Sequence, residues 1–245
     1  MAPIALCQRG SYDPEPHMAL RPLLFLLSLL LAPPWSLAAE ELMDQYMSVP
    51  GSYTFVRRAP EGATADRVRM TIFEDFLCPA CYHTATDVIP SLKEKYGDRL
   101  EVRFFAYPFI HPQSRVPARA YAIAQEMGLG EQMQQALFRA RFEEELDTTS
   151  REGLAKVADS IGLAPELFLS RLDGDGGNAE VERSLTQGNS YLLDAVPGLI
   201  FDGWIKATDL SQENLEKIID GLLDKKRHRD EKAPKTAHKG GKFTP

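Results

Sequence analysis

The stretch Phe73-Glu74-Asp75-Phe76-Leu77-Cys78-Pro79-Ala80-Cys81-Tyr82-His83 decides how this chain is read. A β-prone run from Val68 to Phe73 leads into it, and a helix-like pattern follows. Cys78 and Cys81 therefore fall at a strand-to-helix junction, where two cysteines so spaced can close a small redox-active disulfide. The first of them stands at the helix N-terminus. Backbone N–H groups and the helix dipole favour an anion there, so the Cys78 thiolate is stabilised at neutral pH.

The rest of the composition bounds that reading. A length of 245 residues allows one large domain or two small ones, with room for a buried core. The chain is 44% hydrophobic and 26% charged, as ordinary globular proteins are. A net charge of −7 argues against nucleic acid as a partner, which calls for a basic face. Three cysteines are too few for a disulfide-stapled scaffold.

The third cysteine, Cys7, lies far upstream, ahead of what reads as an export signal. Met18-Ala19-Leu20-Arg21 supplies a short basic start, and Leu23 to Ala32 an apolar run of the length such signals use. Pro33-Pro34-Trp35 breaks any helix, and Ser36-Leu37-Ala38 sets small residues for cleavage after Ala38. The apolar run is shorter than the roughly twenty residues that span a bilayer. Residues 18–38 thus read as a signal peptide, and residues 1–17 as an extension ahead of the true start. Cleavage removes Cys7 and leaves Cys78 and Cys81 as the mature chain's thiol pair. That suits an oxidising compartment, the periplasm.

Downstream, Glu40 to Tyr46 is expected to form a short helix and Tyr53 to Arg57 a strand. Val68–Phe73 is the next strand, and a helix should run from Cys81 to Tyr96, with Gly97 closing it and Pro90 kinking or splitting it. Leu100–Ala106 is a third strand, and strand–helix–strand with short connections makes the two strands parallel. Arg119–Met127, Glu131–Phe142, Arg151–Ile161, Pro165–Leu172 and Glu180–Leu193 show helical spacing. Thr148-Thr149-Ser150 offers an N-cap. Pro197–Phe201 is a strand, turned by Asp202-Gly203 into Trp204-Ile205-Lys206. Ser211 caps a last amphipathic helix through Leu223, and residues 224–245 read as a basic, disordered, solvated tail.

This α/β order resembles a thioredoxin fold with an inserted α-helical domain. With Asp75-Phe76-Leu77-Cys78-Pro79-Ala80-Cys81 added, the chain resembles the DsbA family of exported thiol:disulfide oxidoreductases from roughly Tyr53 to Leu223. The resemblance implies a thioredoxin-fold domain made of residues 53–112 and 194–223, with a helical domain at 113–193. It implies a cis-proline loop, Ala195-Val196-Pro197-Gly198, facing the cysteines, with Val196 and Pro197 presenting backbone to substrate. Cys78 is then the attacking sulfur nearer solvent, and Cys81 the buried resolving thiol. Pro79, Ala80, Glu74 and Asp75 are the supporting residues.

No cofactor or metal is implied. The expected partners are unfolded or partly folded exported proteins, together with a redox partner that recycles the disulfide; the protein itself is expected to be a monomer. The expected direction is oxidation of substrate thiols. A reductase or isomerase of the same fold, or a binding protein with a structural disulfide, are the alternatives.

Three features depart from the family pattern. Ile72 stands six positions before Cys78, where an acidic residue is common, so that role is either dropped or taken in part by Glu74 or Asp75. Ala80 adds no charge or donor between the cysteines, which implies a weaker oxidant than one with an imidazole there. Gly198-Leu199-Ile200 follows the proline in place of a Thr-like run.

Blander readings compete at each position. So short a loop gains little stability as a structural disulfide. Zinc would need further ligands, and His83 and His111 lack a clear spacing. His83 reads as a helix surface residue and His111 as a loop residue, while Trp204, Phe104 and Phe105 read as core.

Overall fold

The computed structural model describes residues 49–61 and 66–232, with side chains described as far as residue 228. The expected signal peptide, the extension before it and the helix at Glu40 to Tyr46 lie outside the described residues. Five strands form one sheet in the order β1-β5-β4-β2-β3. They are β1 (Tyr53–Phe55), β2 (Val68–Glu74), β3 (Leu100–Ala106), β4 (Gly198–Phe201) and β5 (Ile205–Ala207). β2 and β3 are parallel, with Val68 opposite Leu100 and Glu74 opposite Ala106. β4 lies antiparallel to β2, β5 antiparallel to β4, and β1 antiparallel to β5. β2 lies inside the sheet between β4 and β3, buried along its whole length except at the half-buried Arg69.

The helix after β2 begins with Pro79 in its first turn, where the missing N–H costs nothing. It runs as α1 (Pro79–His83), a π-helical turn (Thr84–Val88) and α2 (Ile89–Tyr96). The sequence expects Pro90 to kink or split the helix, and the helix is split: a π-helical turn precedes Pro90, which stands in the first turn of α2. The Ile89 N–H reaches back to the Thr84 carbonyl, five residues earlier. Proline has no N–H for an i−4 bond, and the wider turn absorbs the gap. Gly97 closes α2 at φ +52.

Five helices lie between β3 and β4. They are α3 (Arg115–Glu126), α4 (Gly130–Phe142), α5 (Arg151–Ser160), α6 (Pro165–Asp173) and α7 (Asn178–Ser190). Ser150 caps α5 by accepting from the Gly153 N–H at 3.0 Å. α3 starts four residues earlier than its apolar spacing suggests, because Pro117 is tolerated in a first turn. Strand β1 stops at Phe55, short of Arg57, and Trp204 belongs to the β4–β5 turn. Asp202 and Gly203 both take positive φ there, +46 and +74.

The last helix, α8 (Gln212–Lys232), overturns one expectation. The sequence predicts a disordered tail over residues 224–245, of which 233–245 lie outside the described residues, yet the helix continues nine residues past Leu223. Lys226 accounts for part of this. Its ammonium, 5% exposed, meets the Asp202 carboxylate at 2.9 Å, and Asp202 also accepts from the Arg69 N–H. A lysine that reads as solvated in sequence is an anchor on the β4–β5 turn. None of the helices among the described residues is long and apolar enough to cross a membrane.

Candidate active site

β2 and α1 build the site directly from the quoted stretch. The strand ends at Glu74, the chain turns through Asp75 to Leu77, and Cys78 is the N-cap residue of α1 with extended backbone (φ −95, ψ 117). Phe76 faces inward and fixes this turn. Its ring lies 5.5 Å from Tyr121 on α3 and 5.1 Å from Phe138 on α4. The cysteines share one apolar cluster with those helices, so the block between β3 and β4 forms the floor of the site.

Both sulfurs are buried: Cys78 is 4% exposed and Cys81 1%. The sequence places Cys78 nearer solvent; the difference is small, and the exposed face of the turn is Pro79 and Ala80. The reason is the loop across from it. The Val196–Pro197 peptide bond is cis, and the Val196 carbonyl oxygen lies 3.7 Å from Cys78 Sγ. Val196 is half-buried and Pro197 buried. The fold thus brings Val196 and Pro197 to the cysteines across more than a hundred residues of chain.

The two thiols differ sharply in acidity. A hydrogen bond from the Cys81 thiol, joined by the backbone N–H groups of Cys81 and Ala80, lowers the Cys78 thiol to about 6. Burial and the charge of Asp75 oppose this without cancelling it. Cys81 is pushed far up, because it donates to Cys78 and is itself buried. One sulfur is therefore prepared as a thiolate and the other as a thiol.

The two acidic residues before the cysteines have separate surroundings. Glu74 is 1% exposed, and its Oε1 accepts from Gln134 Nε2 at 2.5 Å. Burial raises its carboxyl to about 8 despite that bond, and its charge in turn opposes ionisation of Cys81. Asp75 is equally buried, but its oxygens are filled by backbone N–H groups of Leu77, Phe109 and Ile110. Ile72 is a core residue of β2, 1% exposed. Gln134 carries no sequence signal. It reads as one helical residue among many, and only the packing of α4 against α1 and α3 brings it to Glu74. The Phe109-Ile110 pair is visible in sequence only as the flank of His111.

The remaining candidates lie away from the sulfurs' chemistry. His83 is an exposed helix residue whose Nδ1 lies 2.5 Å from Asp87 Oδ2. His111 caps a short turn by accepting from the Gln113 N–H at 3.1 Å. Trp204 is buried and stacked on Phe55 at 4.9 Å, and Phe105 stacks on Phe73 at 5.3 Å. Phe104 is half-buried beneath the Lys93 ammonium. Among the described residues, no three His, Cys, Asp or Glu side chains are placed to hold a metal ion.

Strand order, the cysteine pair at a helix start and the facing cis-proline loop together define a thioredoxin-like protein. The sequence matches the thioredoxin family over residues 59–221, and the chain belongs to that family. Among solved structures it is similar to DsbA from Xylella fastidiosa, with 19% identity and a TM-score of 0.61 over 74% of this chain and 99% of that one. DsbA from Pseudomonas aeruginosa has 19% identity and a TM-score of 0.60, covering 74% and 95%. DsbA from Proteus mirabilis, solved with a non-covalently bound peptide, has 18% identity and a TM-score of 0.54, covering 74% and 97%. The fold is therefore DsbA-like. No curated protein sequence matches the chain.

Proposed function

We propose that this protein is an exported thiol:disulfide oxidoreductase that oxidises cysteines of other exported proteins. The observation that carries this reading is the placement of the cysteine pair at the start of α1, with Cys78 as its N-cap residue and the Val196 carbonyl 3.7 Å from Cys78 Sγ, a setting that lowers the Cys78 thiol and raises Cys81. Whatever stabilises that thiolate stabilises the reduced pair, and so makes its disulfide a better oxidant.

In the oxidised protein, a substrate thiolate attacks Cys78 Sγ. The Cys78–Cys81 bond breaks, a mixed disulfide forms, and Cys81 leaves and takes up a proton. A second substrate thiolate then attacks the substrate sulfur of the mixed disulfide. Cys78 departs as a thiolate, a leaving group made good by its lowered pKa, and two electrons have passed from substrate to protein. A separate oxidised partner removes them again. The Val196–Pro197 backbone lies where an extended substrate segment can lie alongside the sulfurs. The peptide bound to the Proteus protein is consistent with such a substrate.

Equilibration with glutathione tests the direction. An oxidase gives a reduction potential well above the value of about −270 mV typical of thioredoxin; a potential in that range overturns the oxidase reading in favour of a reductase. Cys78→Ser should abolish exchange with the fold intact, whereas Cys81→Ser should accumulate the mixed disulfide. N-terminal sequencing of the exported protein should start at Ala39, and a start upstream of Met18 refutes the export signal as drawn.

A further inference from the structure

Asp75 makes more contacts around the sulfurs than the exchange reaction requires. Its backbone N–H donates to Cys81 Sγ at 3.4 Å, and its carbonyl accepts from the Cys78 N–H at 3.0 Å. Its side chain joins two segments. Oδ1 accepts from the Leu77 N–H at 2.8 Å, while Oδ2 accepts from Phe109 and Ile110 at 2.7 and 2.8 Å. Asp75 itself is 1% exposed, yet the loop it holds leaves Phe109 44% and Ile110 52% exposed. A single buried group thus touches the turn of both cysteines and anchors an apolar surface loop beside that turn.

We propose that Asp75 is a positioning residue that ties the Phe109–Ile110 loop to the cysteine turn and, through its charge, restrains the oxidising strength of the pair. The inference rests on the exchange reaction proposed above. A carboxylate has only acceptors, so its two oxygens match three N–H donors without conflict. An amide cannot do so, since its NH2 would face a donor on one side. The same negative charge beside Cys78 works against its thiolate, so the α1 terminus and Asp75 pull the sulfur in opposite directions. The loop and the sulfurs then sense each other through one group.

The test compares Asp75→Asn, Asp75→Glu and wild type by titrating the far-ultraviolet absorbance of the Cys78 thiolate and by equilibration with glutathione. The Asn variant should titrate about half to one pH unit lower than wild type. Its equilibrium should move up to about tenfold toward the reduced protein, about 30 mV. Asp75→Glu keeps the charge and should titrate near wild type. A folded Asn variant with an unmoved or raised midpoint overturns the inference.

Should the Asn variant fail to fold, the wild type decides alone. The amide resonances of Leu77, Phe109 and Ile110 should shift through the Cys78 titration, and still Phe109 and Ile110 resonances refute the coupling. A wild type that neither titrates nor exchanges overturns the functional reading instead, so the two failures are distinct.

Discussion

Replacing Glu74 with Gln should remove a pH dependence that is built into the fold. Glu74 ends β2, 1% exposed, and burial raises its carboxyl from the ordinary 4.5 to about 8. Between those two values the unfolded chain has lost this proton while the folded chain keeps it. The folded state binds more protons, so stability falls as pH rises through that window and levels off above about 8. At about 1.4 kcal/mol for each pH unit crossed, the whole window is worth about 5 kcal/mol.

Gln is neutral throughout, and its Oε1 can still accept from Gln134. Its NH2 stands in for the O–H donor that a protonated Glu already carries. Urea unfolding of the oxidised protein, in which neither sulfur titrates, should show wild-type stability declining across the window. The Glu74→Gln curve should be flatter and should lie above wild type at the alkaline end. Parallel curves would refute the reasoning, because they would mean that Glu74 is ionised or solvated in the fold.

Other outcomes follow from the same geometry. The reduced protein should show the opposite slope from Cys78: its folded value is lowered to about 6 from the ordinary 9.0, so this stabilisation is complete above 9 and fades as pH falls through about 6. Comparing reduced with oxidised protein by urea unfolding checks it. Lys226→Ala leaves Asp202 buried without its ion pair and should cost about 3–5 kcal/mol in the same assay. Gly188→Ala would place a Cβ 2.4 Å from Tyr107 Cε2, in the ring that meets Phe73 edge to face. A loss of about 1–3 kcal/mol, read by thermal unfolding, is expected.

Much of this molecule can be read from local pattern. The strand before Cys78, the helix after it and the parallel return of Leu100–Ala106 follow from apolar periodicity and turn residues. Those signals act over a few neighbours, and the fold agrees with them. Pro90 is visible too, but whether proline kinks a helix or widens it depends on what the surrounding turns pack against. The tail misleads for a related reason. Residues after Leu223 are charged and apolar-poor, and only the approach of Asp202 makes Lys226 a buried partner.

Local pattern is also enough to point to the chemistry: two cysteines at a strand-to-helix junction, and Val196-Pro197 opening a later strand. Helix-terminus electrostatics act within one turn, so spacing suffices to favour the thiolate on Cys78. Everything that depends on groups far apart in the chain waits for the packed molecule. Packing sets Glu74 on Gln134, divides the Asp75 carboxylate between Leu77 and the Phe109–Ile110 loop, and brings the Val196 carbonyl to 3.7 Å from Cys78 Sγ. Burial and hydrogen bonding set the ionisation of a carboxyl, and neither is a property of neighbouring letters. Two adjacent acids that look interchangeable in sequence therefore have different environments: Glu74 is desolvated against a single amide donor, whereas Asp75 is filled by three backbone N–H groups.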